Sequence, residues 1–531
     1  MKKEELLVLK NELADDEELA IPIDTILKQI EIFEKGVPFM KLARPCTINE
    51  GIKKIFESEK KNFINIFNEV LDRGRVLKFV PASGAGSRMF KKQLAALSKN
   101  KDLSLLKLTE SSNQGDKNSE ATLEFIKNIE LFAFYDELKK LLLNKGRDLD
   151  DLIKKGKIAE IITFVTDESG LNYSNLPKGC FLFHYYTGGS RTAFEEHLVE
   201  AMNYSAGKDK VVRAHFTISP EHEEDIKKLF DSLFEKYSRS GWKFSVDFSF
   251  QSPSTDTISV TSENKPFRDE EENIVFRPGG HGALLKNLND LKSDIILIKN
   301  IDNVVPDHLK DKTYEYKKLL GGYLVSLQQK IFGYIHQLNE DNASENIIDE
   351  VINFIENEFG KVLSADFNSK ILNEKKNYLI NFLNRPLRVC GMVKNEGHTG
   401  GGPFWVEDEN GNLTKQVVEG AQVDLSNENQ LKIFKETTHF SPVDFACGVK
   451  DYQGDNFDLN KFSNPETGLI TKKSKNGKEL KALELPGLWN GGMYYWLTVF
   501  IEVPIITFNP VKEINDLLKP EHQPPDKKIS N

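Results

Sequence analysis

The stretch from Val76 to Arg88 reads VLKFVPASGAGSR, and the fold that we expect follows from it. Its first five residues are mostly apolar, which is typical of a buried strand. The glycines behind them let the backbone turn tightly with exposed N–H groups, and a helix that starts there adds positive potential. Such a loop can hold phosphate oxygens, and Arg88 can add charge-assisted hydrogen bonds. The loop matches neither a P-loop nor the G-x-G-x-x-G pattern, and a plain tight turn explains it equally well.

Strand-like runs and helical segments alternate after this loop. The strand-like runs lie at 180–186, 211–218, 244–250 and 294–300. Ser219 and Pro220 predict a helix start, because Ser caps helices and Pro is favoured at the first helical position. This alternation predicts a layered α/β domain with a largely parallel sheet.

Changes in pattern divide the chain into five parts. We predict a helical region at 1–73, an α/β core at 74–312 with a helical insertion at about 100–170, a helical segment at 313–384, the strand-rich remainder of the core at 385–518 and a polar tail at 519–531. The 35 phenylalanines favour packed structure over disorder. The sequence therefore predicts one enlarged domain with helical additions.

Composition excludes several classes of protein. The 531 residues carry 71 Lys and Arg against 81 Asp and Glu, a formal charge of −10, whereas a general nucleic-acid binder has a basic footprint. The four cysteines contain no C-x-x-C pair, which favours neither a disulfide framework nor a zinc site. We find neither a signal peptide nor an apolar run of about eighteen residues. We therefore expect a soluble, cytoplasmic protein without nucleic-acid or membrane partners.

Two further segments combine glycines with a cation or an imidazole. Lys178, between Pro177 and Gly179, is suited to meet an anion as a point charge, although an exposed turn lysine has the same pattern. Residues 276–284 read FRPGGHGAL. Their glycines would let the backbone approach a flat ligand such as a base or a sugar; the alternative is a turn that His281 caps.

A carboxylate ends one of the apolar runs of the chain. Residues 295–303 read IILIKNIDN, so Asp302 lies where open α/β sheets bind ligands, at the carboxyl end of a strand. This carboxylate could hold Mg²⁺ between phosphates. An Asx turn is the alternative.

In this order, the segments resemble the motifs of the UDP-sugar pyrophosphorylases, particularly the UDP-N-acetylhexosamine and UDP-glucose branches. The family's G-x-G-T-R loop resembles residues 84–88, with Ser87 in place of Thr, and its P-K-G motif resembles 177–179. The likeness continues with the next family helix at 190–197, a uracil-contacting Gln at Gln251, P-x-G-N-G at 278–282, V-D-N at 301–303, V-V-E at 417–419 and F-x-P-x-K at 508–512.

The resemblance implies a GT-A-like, Rossmann-like α/β fold with a mixed, mostly parallel sheet between helices. It also implies an enzyme, a sugar-1-phosphate nucleotidyltransferase that uses Mg²⁺, a nucleoside triphosphate (UTP is expected) and a sugar 1-phosphate. Positioning and charge neutralisation supply most of the acceleration in such a reaction. Two alternatives keep the fold, namely a nucleotide-sugar-dependent glycosyltransferase or hydrolase, and a catalytically silent nucleotide-sugar binding protein.

Roles for individual residues follow from the same resemblance. Arg88 would neutralise the β- and γ-phosphates, Lys178 and Lys512 would hold the α-phosphate and the sugar phosphate, and Asp302 would bind the metal. The nucleotide would contact Ser83, Gly84, Ala85, Gly86, Ser87, Gln251, Gly279, Gly280 and His281, and the sugar would contact Glu419 and Asn490.

The chain also departs from the pyrophosphorylase pattern. A helical insertion separates Arg88 from Lys178, whereas the two motifs are close neighbours in that family, and His281 replaces an Asn. The Gly-rich segment 395–403 has no counterpart; it either shapes an acceptor pocket or forms a long hairpin. Segments 437–444 and 484–490 resemble hallmarks of an uncharacterised bacterial family, domain of unknown function 4301, whose name implies no activity.

Overall fold

The secondary structure is known from a computed structural model that describes residues 3–14, 16, 19–84, 86–99, 103–340, 344–397 and 400–525. The strands are β1 (Lys41–Pro45), β2 (Thr47–Ile48), β3 (Gly51–Lys53), β4 (Val76–Pro81), β5 (Leu182–His184), β6 (Arg191–Thr192), β7 (Val211–Thr217), β8 (Lys243–Ser249), β9 (Thr257–Val260), β10 (Phe276–Arg277), β11 (Ile295–Lys299), β12 (Leu387–Lys394), β13 (Gly402–Glu407), β14 (Leu413–Val418), β15 (His439–Phe440), β16 (Asp444–Gly448), β17 (Leu469–Lys475), β18 (Lys478–Glu484) and β19 (Leu497–Glu502). The α-helices are α1 (Lys3–Ala14), α2 (Ile23–Lys35), α3 (Glu57–Asp72), α4 (Lys91–Lys99), α5 (Leu105–Asn113), α6 (Lys117–Lys127), α7 (Tyr135–Asn144), α8 (Leu149–Lys154), α9 (Ile158–Thr166), α10 (Ala193–Tyr204), α11 (Glu223–Ser238), α12 (Leu284–Asn289), α13 (Lys310–Asn339), α14 (Glu345–Phe359), α15 (Ala365–Ser369), α16 (Leu372–Leu383) and α17 (Glu428–Lys435).

A 10-stranded mixed sheet forms the centre of the described part of the chain. Its strands are ordered β2-β3-β19-β12-β16-β11-β4-β7-β8, and β15 pairs with β12 beside this path. Neighbouring strands are parallel except at β16 and β15, which are antiparallel to the strands that they pair with. The prediction of an α/β fold with a mixed, mostly parallel sheet is confirmed.

Strand β11 shows how both faces of this sheet are covered. Successive side chains of a strand point to opposite faces. Ile295 and Leu297 belong to a buried cluster with α3 and α13, whereas Ile296 and Ile298 belong to one with α12. All four side chains are fully buried. A continuous apolar run is therefore the expected pattern, because neither face meets water.

The prediction of a helical region at 1–73 is wrong at 41–53, where the structure has three short strands. In β1, Leu42 pairs with Val406 of β13, within the separate sheet β1-β13-β14. In β3, Ile52 pairs with Phe500 at the edge of the central sheet. These partners lie more than three hundred positions away, so the local periodicity of the sequence carries no trace of them.

The other predicted segments differ in how closely the elements follow them. Helices α5 to α9 occupy the predicted insertion, and α13 to α16 occupy most of 313–384. The strand predicted at 180–186 is only the short β5, which pairs with β6 outside the central sheet. None of the helices in the described ranges has the length and apolar character that crossing a membrane requires.

Candidate active site

Loops that follow parallel strands meet at one edge of the central sheet. Strands β11, β4 and β7 lie side by side and run in the same direction. The Gly-rich loop follows β4, and Asp302 follows β11. Both therefore lie at the carboxyl edge of the sheet, where open α/β sheets bind their ligands.

The Gly-rich loop contacts the segment of Lys178 in spite of the insertion between them. The Gly86 N–H donates to the Leu176 carbonyl at 3.1 Å, and the Lys178 N–H donates to the Gly84 carbonyl at 3.2 Å. A Cβ atom on Gly86 would lie 2.2 Å from the Phe181 ring, so only glycine permits this approach. The insertion begins and ends at neighbouring points, and the two predicted motifs are close in space.

The remaining residues of the loop differ in their exposure. Ser83 is half-buried, and its carbonyl accepts a hydrogen bond from the Ser219 hydroxyl at 3.1 Å. Ser87 is also half-buried, whereas Arg88 is exposed and has no ion pair or hydrogen bond with any residue that the structure describes. Ala85 lies outside the described residues. The Arg88 guanidinium is therefore available to an anion.

Two lysines from distant segments converge on the Asp302 carboxylate. The Nζ atoms of Lys178 and Lys512 lie 3.1 and 2.9 Å from Asp302 Oδ2. Lys178 also donates to the Val511 carbonyl at 2.9 Å. The side chains of Lys178 and Asp302 are 12% and 8% exposed, and that of Lys512 is 61% exposed. Lys178 is therefore held in a defined position, whereas Lys512 reaches the carboxylate from the solvent side.

The charge of Asp302 depends on these lysines. Burial by itself raises the pKa of the Asp302 carboxyl, but Lys178 and Lys512 outweigh burial and keep this pKa below its usual value. Asp302 is therefore ionised at neutral pH. Two ammonium groups on one carboxylate leave a net positive centre inside an acidic protein.

One oxygen of Asp302 is not engaged by the lysines. Oδ1 is buried and has no hydrogen-bond partner among the described residues. Within the same ranges there is no group of three His, Cys, Asp or Glu side chains that could hold a metal ion. Mg²⁺ commonly binds through one or two carboxylates and takes its other ligands from substrate phosphates and water. The residues present fit that kind of site, with a single protein carboxylate.

A separate pocket brings together three residues that were predicted to contact the base and the sugar. His281, Glu419 and Asn490 come from distant parts of the chain and line this pocket, which we call the imidazole pocket. Its other lining residues, which the sequence analysis missed, are Gln422, Thr467, Leu469, Glu484, Leu485 and Gly487.

His281 is fixed by its neighbours on both sides. Its ring stacks on Trp489 with the centroids 4.2 Å apart and the planes 23° apart. Its Nδ1 accepts a hydrogen bond from the Leu488 N–H at 3.1 Å, so that the proton of the neutral ring belongs on Nε2. Burial lowers the pKa of His281 to about 4, against the opposing effect of Glu484. The imidazole is therefore neutral at physiological pH.

Gly279 and Gly280, which precede His281, occupy positions where the backbone leaves no room or no suitable conformation for a side chain. A Cβ atom on Gly279 would lie 2.5 Å from the Thr255 carbonyl oxygen. Gly280 has a φ of 73°, a conformation that side chains disfavour. Both glycines are needed for the turn that carries His281 into the pocket.

A change of pH tests the buried state of His281. Unfolded chains protonate His near pH 6.5, and the folded state does so only near pH 4. Between these values the unfolded state binds more protons than the folded state. The contribution of His281 to the free energy of unfolding is therefore complete above about pH 6.5, and it falls by at most about 1.4 kcal/mol per pH unit towards pH 4. We expect His281→Gln to remove this part of the pH dependence. Urea unfolding of the unchanged protein and the variant from pH 7 to pH 4 measures the free energy of unfolding at each pH. The same pH dependence in both proteins would contradict the expectation.

Glu419 and Asn490 are linked through Gln422. Gln422 Oε1 accepts hydrogen bonds from the Glu419 backbone N–H at 3.1 Å and from Asn490 Nδ2 at 3.0 Å. Asn490 Oδ1 is buried and lacks a partner among the described residues. Burial raises the pKa of Glu419, which hydrogen bonds from the side chains of Asn490 and Trp489 oppose. The pocket thus offers a carboxylate and a free amide oxygen as acceptors.

A family model described as Domain of unknown function (DUF4301) matches residues 10–523. The chain belongs to this family. The predicted resemblance to it is therefore confirmed. Comparison with curated proteins gives no match.

Several solved structures are similar to this chain at low sequence identity and with TM-scores below 0.5. The UDP-N-acetylglucosamine pyrophosphorylase of Trypanosoma brucei is 12% identical with a TM-score of 0.47, over 93% of this chain and 74% of that one. A mutant UDP-glucose pyrophosphorylase of Leishmania major is 11% identical with a TM-score of 0.44, over 98% and 79% of the two chains.

Gln251 lies apart from the imidazole pocket. It is half-buried, and its side chain hydrogen bonds with Asp256. It is not among the residues that line the pocket with His281. Its predicted contact with a base stays a prediction.

The sequence analysis also missed a fully buried ion cluster in the core. Lys78 of β4 and Lys299 of β11 lie 3.0 and 2.8 Å from the two carboxylate oxygens of Glu200 on α10. Burial lowers the pKa of Lys78 to about 7, against the opposing charge of Glu200. Burial alone raises the pKa of Glu200, but Lys299 and Lys78 hold it well below its usual value. A lysine inside each of two apolar strands is the sequence signal of this cluster.

Proposed function

We propose that this protein is a sugar-1-phosphate nucleotidyltransferase that joins a sugar 1-phosphate to a nucleotide, with UTP as the expected donor. The observation that carries the proposal is the convergence of Lys178 and Lys512 on Asp302 next to the Gly-rich loop. The unpaired Arg88 adds a third cation from that loop. Such a set suits phosphoryl chemistry, in which positioning and charge neutralisation take the place of a protein nucleophile. As the sequence predicts, we expect the reaction to take place in the cytoplasm.

Each cation has a separate task in the reaction. A phosphate oxygen of the sugar 1-phosphate attacks the α-phosphorus, the bond from that phosphorus to the β-phosphate bridging oxygen breaks, and pyrophosphate leaves with the electron pair. Lys178, which the Val511 carbonyl fixes, holds the α-phosphate. Lys512 exchanges Asp302 for the sugar phosphate, because its exposed side chain can move. Arg88 neutralises the leaving pyrophosphate, and no proton transfer is needed, since the attacking oxygen is already ionised.

Asp302 is the residue that would hold Mg²⁺. Its Oδ1 is the atom that we assign to the metal, because both lysines contact Oδ2. When bound, Mg²⁺ neutralises phosphate charge and polarises the phosphate under attack. Asp302 also holds the two lysine side chains in place before substrate enters.

The imidazole pocket, whose volume of about 10 Å³ has room for one water-sized group, would receive a single hydroxyl of the sugar. Glu419 and the free Asn490 Oδ1 accept hydrogen bonds, as sugar hydroxyls require. The ring of His281, which stacks on Trp489, forms a wall of the pocket beside them. A neutral His281 fits this role, because its ring adds no charge to a pocket that contains Glu419 and Glu484.

Loss of Arg88 should remove most of the stabilisation that UTP gives. We expect Arg88→Ala to lose most of the increase in Tm with UTP and Mg²⁺, and to keep the Tm of the free protein, because the side chain is exposed and unpaired. Thermal-shift measurements with and without UTP test this.

Arg239→Ala is the matched control for this measurement. The Arg239 side chain is 76% exposed and pairs only with Glu235, one helical turn away, among the described residues. We expect this variant to keep the full UTP shift. An equal UTP shift in Arg88→Ala and in the unchanged protein would exclude Arg88 from the nucleotide site.

A further inference from the structure

A large cleft lies outside the groups that the proposed reaction uses. It has a volume of about 890 Å³, within the usual range for small-molecule sites. Strands β1, β13 and β14, helix α16 and the segments 464–467 and 494–495 supply its walls. Of the residues that line the imidazole pocket, only Thr467 also lines this cleft.

Two half-buried cations in the cleft lack a carboxylate partner. Lys361 Nζ donates to Asn412 Oδ1 at 2.6 Å, and Arg385 Nε donates to the Asn381 carbonyl at 3.4 Å. Neither forms an ion pair with a carboxylate in the described ranges. Burial lowers the pKa of both groups, and the proximity of Arg385 lowers that of Lys361 further, although Asp408 opposes this effect. Two desolvated cations beside each other favour an anion between them.

The carboxylates of the cleft limit how much charge that anion can carry. Glu407 pairs with Lys41 at 2.7 Å, and the Asp408 carboxylate accepts backbone N–H groups of its own turn. Glu409 and Glu466 are exposed at the rim. These four carboxylates outnumber the three lysine and arginine side chains of the lining. A nucleoside triphosphate would therefore be repelled, whereas a small ligand with one anionic group can reach the cations.

Aromatic rings face the open part of the cleft. Tyr378 and Tyr495 are 36% and 44% exposed. Phe382 packs below the Arg385 guanidinium, whose carbon lies 5.2 Å from the ring centroid. Flat rings next to carboxylates form a surface on which a sugar ring can stack while its hydroxyls donate to the acids.

We propose that this cleft is a second binding site, for a monosaccharide that carries a single phosphate or carboxylate. The anionic group binds Lys361 and Arg385, and the sugar ring lies against Tyr495 and Tyr378. The site does not depend on the proposed reaction, since it shares none of the cations at Asp302.

Calorimetric titration of the full chain tests this site. The probes are glucose 6-phosphate and glucuronate, with inorganic phosphate and glucose for comparison; none of them is a sugar 1-phosphate. We expect at least one of the first two to bind more tightly than inorganic phosphate and glucose. We expect Lys361→Gln with Arg385→Gln to weaken that binding at least about tenfold, because two charge-assisted contacts are lost. Lys361→Gln alone and Tyr495→Ala should each weaken it about threefold.

Two control variants test whether lysines outside the cleft contribute to this binding. Lys432→Gln removes an exposed lysine, and Lys178→Gln removes a cation of the proposed active site; both should leave the affinity unchanged. The proposal is overturned if neither glucose 6-phosphate nor glucuronate binds, or if the cleft variants bind as tightly as the unchanged protein. It is also overturned if Lys178→Gln abolishes the binding. Inorganic phosphate that binds as tightly as glucose 6-phosphate, with no effect of Tyr495→Ala, would overturn the sugar part.

Discussion

Replacement of Lys178 by Met is expected to lower kcat for pyrophosphate release by about 10²- to 10³-fold, the usual effect of removing one fixed electrostatic group from a transition state. Lys178 is 12% exposed and held by both Asp302 and the Val511 carbonyl, so it meets the α-phosphate without reorganisation. The measurement is the initial rate with the pair of substrates that gives the highest turnover in the unchanged protein.

Lys228→Met is the matched control, because it removes a lysine whose side chain is 73% exposed on α11. It should leave kcat within about twofold of the unchanged protein. A Lys178→Met rate equal to that of this control would remove Lys178 from the active site. The effect of Lys178→Met should also exceed that of Lys512→Met, since the Lys512 side chain is 61% exposed and loosely held.

Replacement of Glu200 by Gln is expected to lower the free energy of unfolding by about 3–5 kcal/mol, as breaking a buried ion pair does. Glu200 is the carboxylate between Lys78 and Lys299, and the side chains of all three are at most 1% exposed. Its loss removes the charge that opposes the effect of burial on the pKa of Lys78 and leaves Lys299 inside the core without its carboxylate partner. Urea unfolding at pH 7 measures the change.

Glu235→Gln provides the comparison on the surface. Glu235 pairs with Arg239 at 2.6 Å, but both side chains are about three-quarters exposed. Exposed pairs of this kind contribute about 0–1 kcal/mol. Equal losses in Glu200→Gln and Glu235→Gln would show that the buried lysines do not depend on Glu200.

Much of the fold can be predicted from local sequence because the central strands are apolar and regular. The run at 295–299 and the strand at 76–81 are buried, and this burial appears directly as apolar sequence in which Lys78 and Lys299 are the exceptions. The strands at 41–53 could not be predicted in this way. Strand β2 pairs with its neighbour β3, but the partners that bring β1 and β3 into sheets, Trp405 among them, lie far along the chain, and no local pattern records such pairing.

The candidate active site, too, could be predicted only in part from local sequence. The order of the motifs indicated Lys178, Lys512 and Asp302, but their convergence depends on how three segments pack. Local sequence could not show that Lys178 and Lys512 share one oxygen and leave the other free. Glu200 was missed for a related reason, since its role depends on two strands that it does not neighbour in sequence.

The proposed reaction is tested most directly by measuring pyrophosphate release from the purified protein with Mg²⁺, each of the four nucleoside triphosphates and a panel of sugar 1-phosphates. We predict release that requires both substrates, is fastest with UTP, forms a nucleotide sugar in equal amount and stops when EDTA removes the metal. Release with no pair of substrates, by a protein that still binds a nucleotide sugar, would contradict the account.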